Sequence, residues 1–149
     1  AFNKSGDLLA YTVDAATKDS NGLFLMELKA NRIFPLDNDA KNYNRLTWND
    51  DGTALAVLKG VDVEKMREKN NVLLVYRDVK AAMADGATLA PIVLDPAKVT
   101  GAPKDWVVSE RATIDWSDDG KRLFFGMKPQ VAAPVTARKN ADTDADADS

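Results

Sequence analysis

The side chains of this chain that could do chemistry are carboxylates and indoles. Paired acids precede a glycine twice, in Asp50-Asp51-Gly52 and Asp118-Asp119-Gly120, and acids alternate at Asp142, Asp144, Asp146 and Asp148. Neighbouring carboxylates could share a proton for acid–base work or hold a divalent cation. Both pairs, however, fall at matching points of a repeated pattern, and catalysis does not need one pair per repeat. They read instead as hairpin turns in which Gly takes positive φ and Asp bonds its own backbone. The alternating run has the acids of a calcium loop, but Ala147 stands where an EF-hand loop needs Gly, so a solvated acidic segment is expected.

With no His and no Cys, these residues cannot assemble a Ser-His-Asp or Cys-His nucleophile, a His-ligated zinc site or a disulfide. A G-x-S-x-G elbow and a Gly-rich phosphate loop are also missing. The expected list of catalytic, cofactor-binding and metal-binding residues is therefore empty.

The elements that position these residues come from a threefold repeat. An aromatic, then Asn or Ser, two further positions and Gly occur as Phe2-Asn3-Lys4-Ser5-Gly6, Trp48-Asn49-Asp50-Asp51-Gly52 and Trp116-Ser117-Asp118-Asp119-Gly120. Each Gly is followed three residues later by Leu: Leu9, Leu55 and Leu123. Short apolar runs at 8–13, 23–28, 32–36, 54–58, 72–76 and 92–94 are bounded by turn residues and read as strands. Several are apolar on both faces, as in a sheet packed between two others. The order strand, Gly turn, strand, variable loop, strand, turn, strand describes a four-stranded antiparallel meander, the blade of a β-propeller.

The expected fold is thus all-β, a partial β-propeller of about two and a half four-stranded antiparallel blades. Residues 1–40 form one blade and 44–95 a second with a loop insertion, in which Val63–Glu68 could form a short helix and Val63–Asn70 is expected to be a solvated loop or short surface helix rather than a docking site. Residues 96–110 are an insertion or linker, and 111–128 are the first two strands of a third blade. Residues 129–149, rich in Ala, Pro and Asp, are expected to form a disordered acidic loop or tail. Trp48 and Trp116 sit inside the repeat and are expected to anchor the core rather than stack on a ligand. Trp106 lies outside it and either packs the insertion onto a blade or joins a contact surface.

The 149 residues carry a net charge of −3, with 45% apolar and 29% charged side chains, the balance of a globular protein. Four of the acids lie in the last nine residues, so the remainder is near neutral and offers no charged face to nucleic acid or an anionic membrane. No apolar run approaches the roughly 20 residues of a membrane span. The chain opens on Ala-Phe within a repeat unit and is read as an excised portion of a longer protein.

Trp116-Ser117-Asp118-Asp119-Gly120-Lys121-Arg122-Leu123-Phe124-Phe125 resembles the W-S-P-D-G-K-x-L-A-F motif of TolB-like propellers and of the N-terminal propellers of prolyl oligopeptidase-family serine peptidases. Asn21–Leu28 is similar to the third strand of such a blade, and Arg32–Leu36 to its short fourth strand. Asp50 and Asp118 replace the usual Pro of the motif, as does Lys4 in the first unit. The run Leu46–Gly60, with long charged insertions, resembles bacterial prolyl oligopeptidase-like proteins more than compact TolB repeats.

The resemblance implies a non-catalytic propeller that gates peptide access to a separate α/β-hydrolase domain, which would hold the Ser, Asp and His. The partners it implies are the remaining blades, that hydrolase domain and a peptide substrate, in a periplasmic or secreted parent. Exposed blade faces would also let the isolated segment self-associate. The alternatives are a TolB-like interaction scaffold without enzyme activity, and a free-standing small β-domain.

Overall fold

A computed structural model describes residues 1–84, 86 and 89–133. Its strands are β1 (Leu8–Val13), β2 (Gly22–Glu27), β3 (Arg32–Asn38), β4 (Asn42–Trp48), β5 (Leu55–Val61), β6 (Asn70–Tyr76), β7 (Ile92–Leu94), β8 (Trp106–Val108), β9 (Asp115–Trp116), β10 (Leu123–Phe124) and β11 (Met127–Pro129). Among the described residues, one short helix, α1 (Val79–Ala84), and one 3-10 turn at Pro96–Lys98 interrupt them. The protein is mostly β, and the strand pairs among the described residues are antiparallel. Among the described residues the strands form separate open sheets and no closed barrel.

Three layers result. The first is the sheet β1-β2-β3, extended by a bridge from Phe2 to Leu9. The middle layer is the four-stranded meander β4-β5-β6-β7. The third is an irregular hairpin in which β8 pairs with β11 and β9 with β10.

The side-chain period of 2 explains how the middle sheet sits between the others. Along β5, Leu55 and Val57 join Leu8, Ala10, Leu23 and Leu25 of the first sheet in one apolar cluster. The alternate residues Ala56 and Leu58 join Val108 and Ile114 in a second cluster, flanked by Trp116, Leu123 and Phe125. Leu55 through Leu58 are all fully buried, so a strand apolar on both faces is satisfied on both. Val79 and Met83, one helical turn apart on α1, close the side of the first cluster.

Of the two readings of Val63–Asn70 the structure takes the loop over the helix: Lys65 has φ 64°, and its neighbours find backbone partners across the chain. Arg67 N–H donates to the Val131 carbonyl, and Ala133 N–H to that of Lys65. Residues 129–133 are therefore pinned and do not belong to a disordered tail, while 134–149, with Asp142, Asp144, Asp146 and Asp148, lie outside the described residues. Lastly, part of the expected 96–110 insertion is a strand. Trp106, Val107 and Val108 pair with Pro129, Lys128 and Met127, which makes β8 the start of the hairpin that leads to the third Gly turn. A loop-out over 109–114 separates β8 from β9 and hides that continuity in the sequence.

Candidate functional site: a repeated docking geometry and the cleft beside it

The three Gly hairpins are the same object three times. Gly6, Gly52 and Gly120 have φ of 73°, 69° and 69°, the left-handed region where an L side chain is strained. Their N–H groups donate to the carbonyls of Asn3, Asn49 and Ser117, three residues back. Asn3 Oδ1, Asn49 Oδ1 and Ser117 Oγ each accept the N–H five residues on, from Leu8, Ala54 and Arg122. The register repeats too: Phe2 faces Leu9, Trp48 faces Leu55 and Trp116 faces Leu123.

The way one hairpin docks on the one before it also repeats. Trp48 Nε1–H donates to the Ala1 carbonyl at 3.0 Å. Trp116 Nε1–H donates to the Thr47 carbonyl at 3.0 Å. Ala1 and Thr47 each precede the aromatic of the earlier unit, so the two contacts are equivalent. A Cβ on Gly52 would lie 3.2 Å from Asn3 Cβ, and one on Gly120 would lie 3.3 Å from Asn49 Nδ2. Gly therefore serves twice, giving the turn its φ and letting the preceding Asn come close. The two tryptophans anchor one layer on the next.

Asp50, Asp51 and Asp118 are exposed on the turns. Asp119 serves its own loop, accepting Ser117 Oγ–H at 2.6 Å and Lys121 N–H at 3.0 Å, which lowers its pKa, the Ser117 bond chief among the causes. In the first turn Asp7 takes this part, bonded to Ser5 and Asn3 and paired with Lys80 of α1 at 2.8 Å. Lys80 first, then Ser5 and Asn3, hold its carboxyl far below the ordinary range. Among the described residues no three acids gather as a metal site would require. Nor is any helix there long and apolar enough to cross a membrane.

Among the described residues, one cluster of titratable groups was missed by the sequence reading. Lys59 Nζ lies 2.7 Å from Asp37 and 3.1 Å from Asp39, over the ring of Tyr43, whose hydroxyl donates to Asp37 at 2.6 Å. Burial by itself would lower the Lys59 pKa, but the two carboxylates outweigh it and raise it. Burial, reinforced by Asp37, raises the Tyr43 phenol. The lysine is thus held charged and the phenol neutral, an arrangement that clamps the end of β3 to β4 and β5 rather than one poised for proton transfer. Its members lie apart in the sequence and follow no local spacing.

Glu110, in the loop-out between β8 and β9, ties the middle and third layers. Its carboxylate accepts from Asn44 and pairs with Lys69, and its carbonyl accepts Arg45 Nε–H at 2.6 Å. Arg45 has φ 57° beside a bulge in β4, so two irregular strand segments are pinned to each other. Asn71 Nδ2, in β6, adds a buried bond to the Val108 carbonyl at 2.8 Å.

Beside this junction the two charged or Pro-rich insertions enclose a cleft of about 780 Å³. Its apolar lining includes Met66, Pro96, Val99, Pro103 and Trp106. Trp106 is 41% exposed: its backbone pairs with Pro129 in the hairpin, and the residue lines the cleft. The cleft is of a size that accommodates a small molecule or a short peptide. Lys104 and Asp105 put one charge of each sign in the lining. No protein-family model matches the chain, and no curated protein matches it in sequence.

Proposed function

We propose that this chain is the non-catalytic β-propeller portion of a prolyl oligopeptidase-family serine peptidase, gating the access of peptides to a separate α/β-hydrolase domain. The observation that carries the reading is the repeated docking of hairpins, with Trp48 on Ala1 and Trp116 on Thr47 in equivalent geometry. Sheets that stack by one repeated step, each burying both faces when flanked, are what a propeller is made of. The motif resemblance and the lack of His and Cys support a reading in which the chemistry belongs to another part of a parent protein.

The test is hydrolysis by the complete parent protein. Short proline-containing peptides should be cleaved and folded proteins spared, with a serine-directed reagent labelling a residue outside this segment. A complete chain with no serine-reactive site, built only of further blades, would overturn the peptidase reading. The TolB-like scaffold would then take its place. That second reading is favoured by the Trp106 cleft, an aromatic surface suited to a binding partner.

A further inference from the structure

From the repeat we infer that the two outer faces of this chain are complementary, so that a second copy docks head-to-tail, its first sheet covering the third hairpin of its neighbour. The inference rests on the stacked-repeat part of the proposed function and adds the polarity of the contact and the residues that make it.

On the face of the middle sheet turned to the first sheet lie Trp48, Leu55, Val57, Leu74 and Tyr76, packed in the cluster between them. Register gives each of them a counterpart in the first sheet. Phe2 faces Leu9 as Trp48 faces Leu55, Tyr11 pairs with Phe24 as Val57 pairs with Leu74, and Leu9 pairs with Met26 as Leu55 pairs with Tyr76. These counterparts are just as apolar but have no sheet over them among the described residues. Phe2 is 61% exposed, and Tyr11 and Phe24 stack on each other at the surface, ring centroids 5.6 Å apart. Gly6, alone of the three turn glycines, meets nothing within 4 Å, although its equivalents touch the Asn of the preceding hairpin. The first sheet therefore presents the docking half of the internal interface with its acceptor half missing.

The third hairpin carries the counterparts of that half's backbone acceptor and turn residue, with Arg122 and Phe124 standing exposed where the internal contacts bury Leu8 or Ala54 and Ala10 or Ala56. Asp115 precedes Trp116 as Ala1 precedes Phe2, so its carbonyl occupies the position that takes the indole in the two internal contacts. Ser117 stands where Asn3 and Asn49 meet glycines, and Phe124, 56% exposed, stands where the middle sheet carries Ala56. A contact between two different patches is heterologous and propagates by rotation, closing into a ring if the rotation allows. At this seam Phe2 replaces Trp, so the indole hydrogen bond of the internal contacts is missing.

The experiment is sedimentation velocity of the 149-residue chain over a range of concentrations, with folding of each variant checked by circular dichroism. The wild type should associate reversibly. Phe2→Glu and Phe124→Glu alter exposed side chains, one on each face, and each variant alone should be monomeric. Mixed one to one, they should form a heterodimer, because one intact pair of faces survives. Phe2→Trp, which supplies the missing N–H, should tighten association about fivefold. A wild type that stays monomeric at its solubility limit, a Phe124→Glu variant that associates as the wild type does, or a mixture that fails to pair would each overturn the inference. None of these results bears on peptide hydrolysis by the parent, so the inference and the peptidase reading fail separately.

Discussion

The middle sheet and the first sheet are built from one pattern and differ in company. Leu55 and Leu9 hold the same place, three residues past the turn glycine and opposite the aromatic, yet Leu55 is fully buried while Leu9 is only half-buried. The chemistry of the two strands is alike, so the difference lies in the neighbouring layer. Burial in this protein is a property of stacking, and a unit's pattern of apolar residues specifies the neighbour it needs.

The largest test of that comparison is truncation at the shared position. Leu55→Ala should lower unfolding free energy by about 3 kcal/mol, because it empties a site packed from both sides. Leu9→Ala should cost less than about 1 kcal/mol, since solvent already reaches it. Urea denaturation of the two variants measures the gap, and equal losses would show that the faces are equivalent after all.

A second pair separates turn strain from stacking. Gly6→Ala and Gly52→Ala both force a side chain into the left-handed region, at about 1–2 kcal/mol. Only at Gly52 does the new methyl also meet a neighbouring layer, 3.1 Å from Lys4 N and 3.2 Å from Asn3 Cβ. Gly52→Ala should therefore exceed Gly6→Ala by about 1 kcal/mol. A contrast of similar size is expected from Trp116→Phe, which keeps an aromatic ring but removes the indole N–H and its bond to Thr47. It should cost about 1 kcal/mol and leave the far-ultraviolet spectrum unchanged.

The smallest expected effect is on pH dependence. The Asp7 pKa is depressed below its ordinary 3.8 in the folded protein. Its clamp on Lys80 is therefore complete above that value and fades as pH falls below it toward the folded value. Asp7→Asn should remove this part of the acid sensitivity of unfolding. Because the pair is exposed, the change will be small and will shrink with added salt.

How much of this could be read in the sequence depended on whether the cause was local. The Gly turns were legible because turn geometry is decided within six residues, and the two-faced strands because 54–58 is apolar throughout. The β8 strand escaped because the loop-out at 109–114 breaks its pairing register, and Pro and Gly crowd the residues before it. The non-helical course of 62–69 was set by residues 130–133, far along the chain, where Gln130 bonds both the N–H and the carbonyl of Glu68. The helix α1 left a faint mark that went unread, Val79 and Met83 four apart in an Ala-rich run. The Lys59 clamp and the Trp106 cleft gather residues from separate units, so no local spacing announces them.

The most direct measurement is an experimental structure of the proposed parent protein, resolved well enough to show what lies over Phe2, Leu9 and Tyr11. The prediction is another four-stranded antiparallel sheet, with an Asn or Ser of its turn packed against Gly6. Finding that face open to solvent in a fully resolved monomer would contradict the stacked-repeat account at its root.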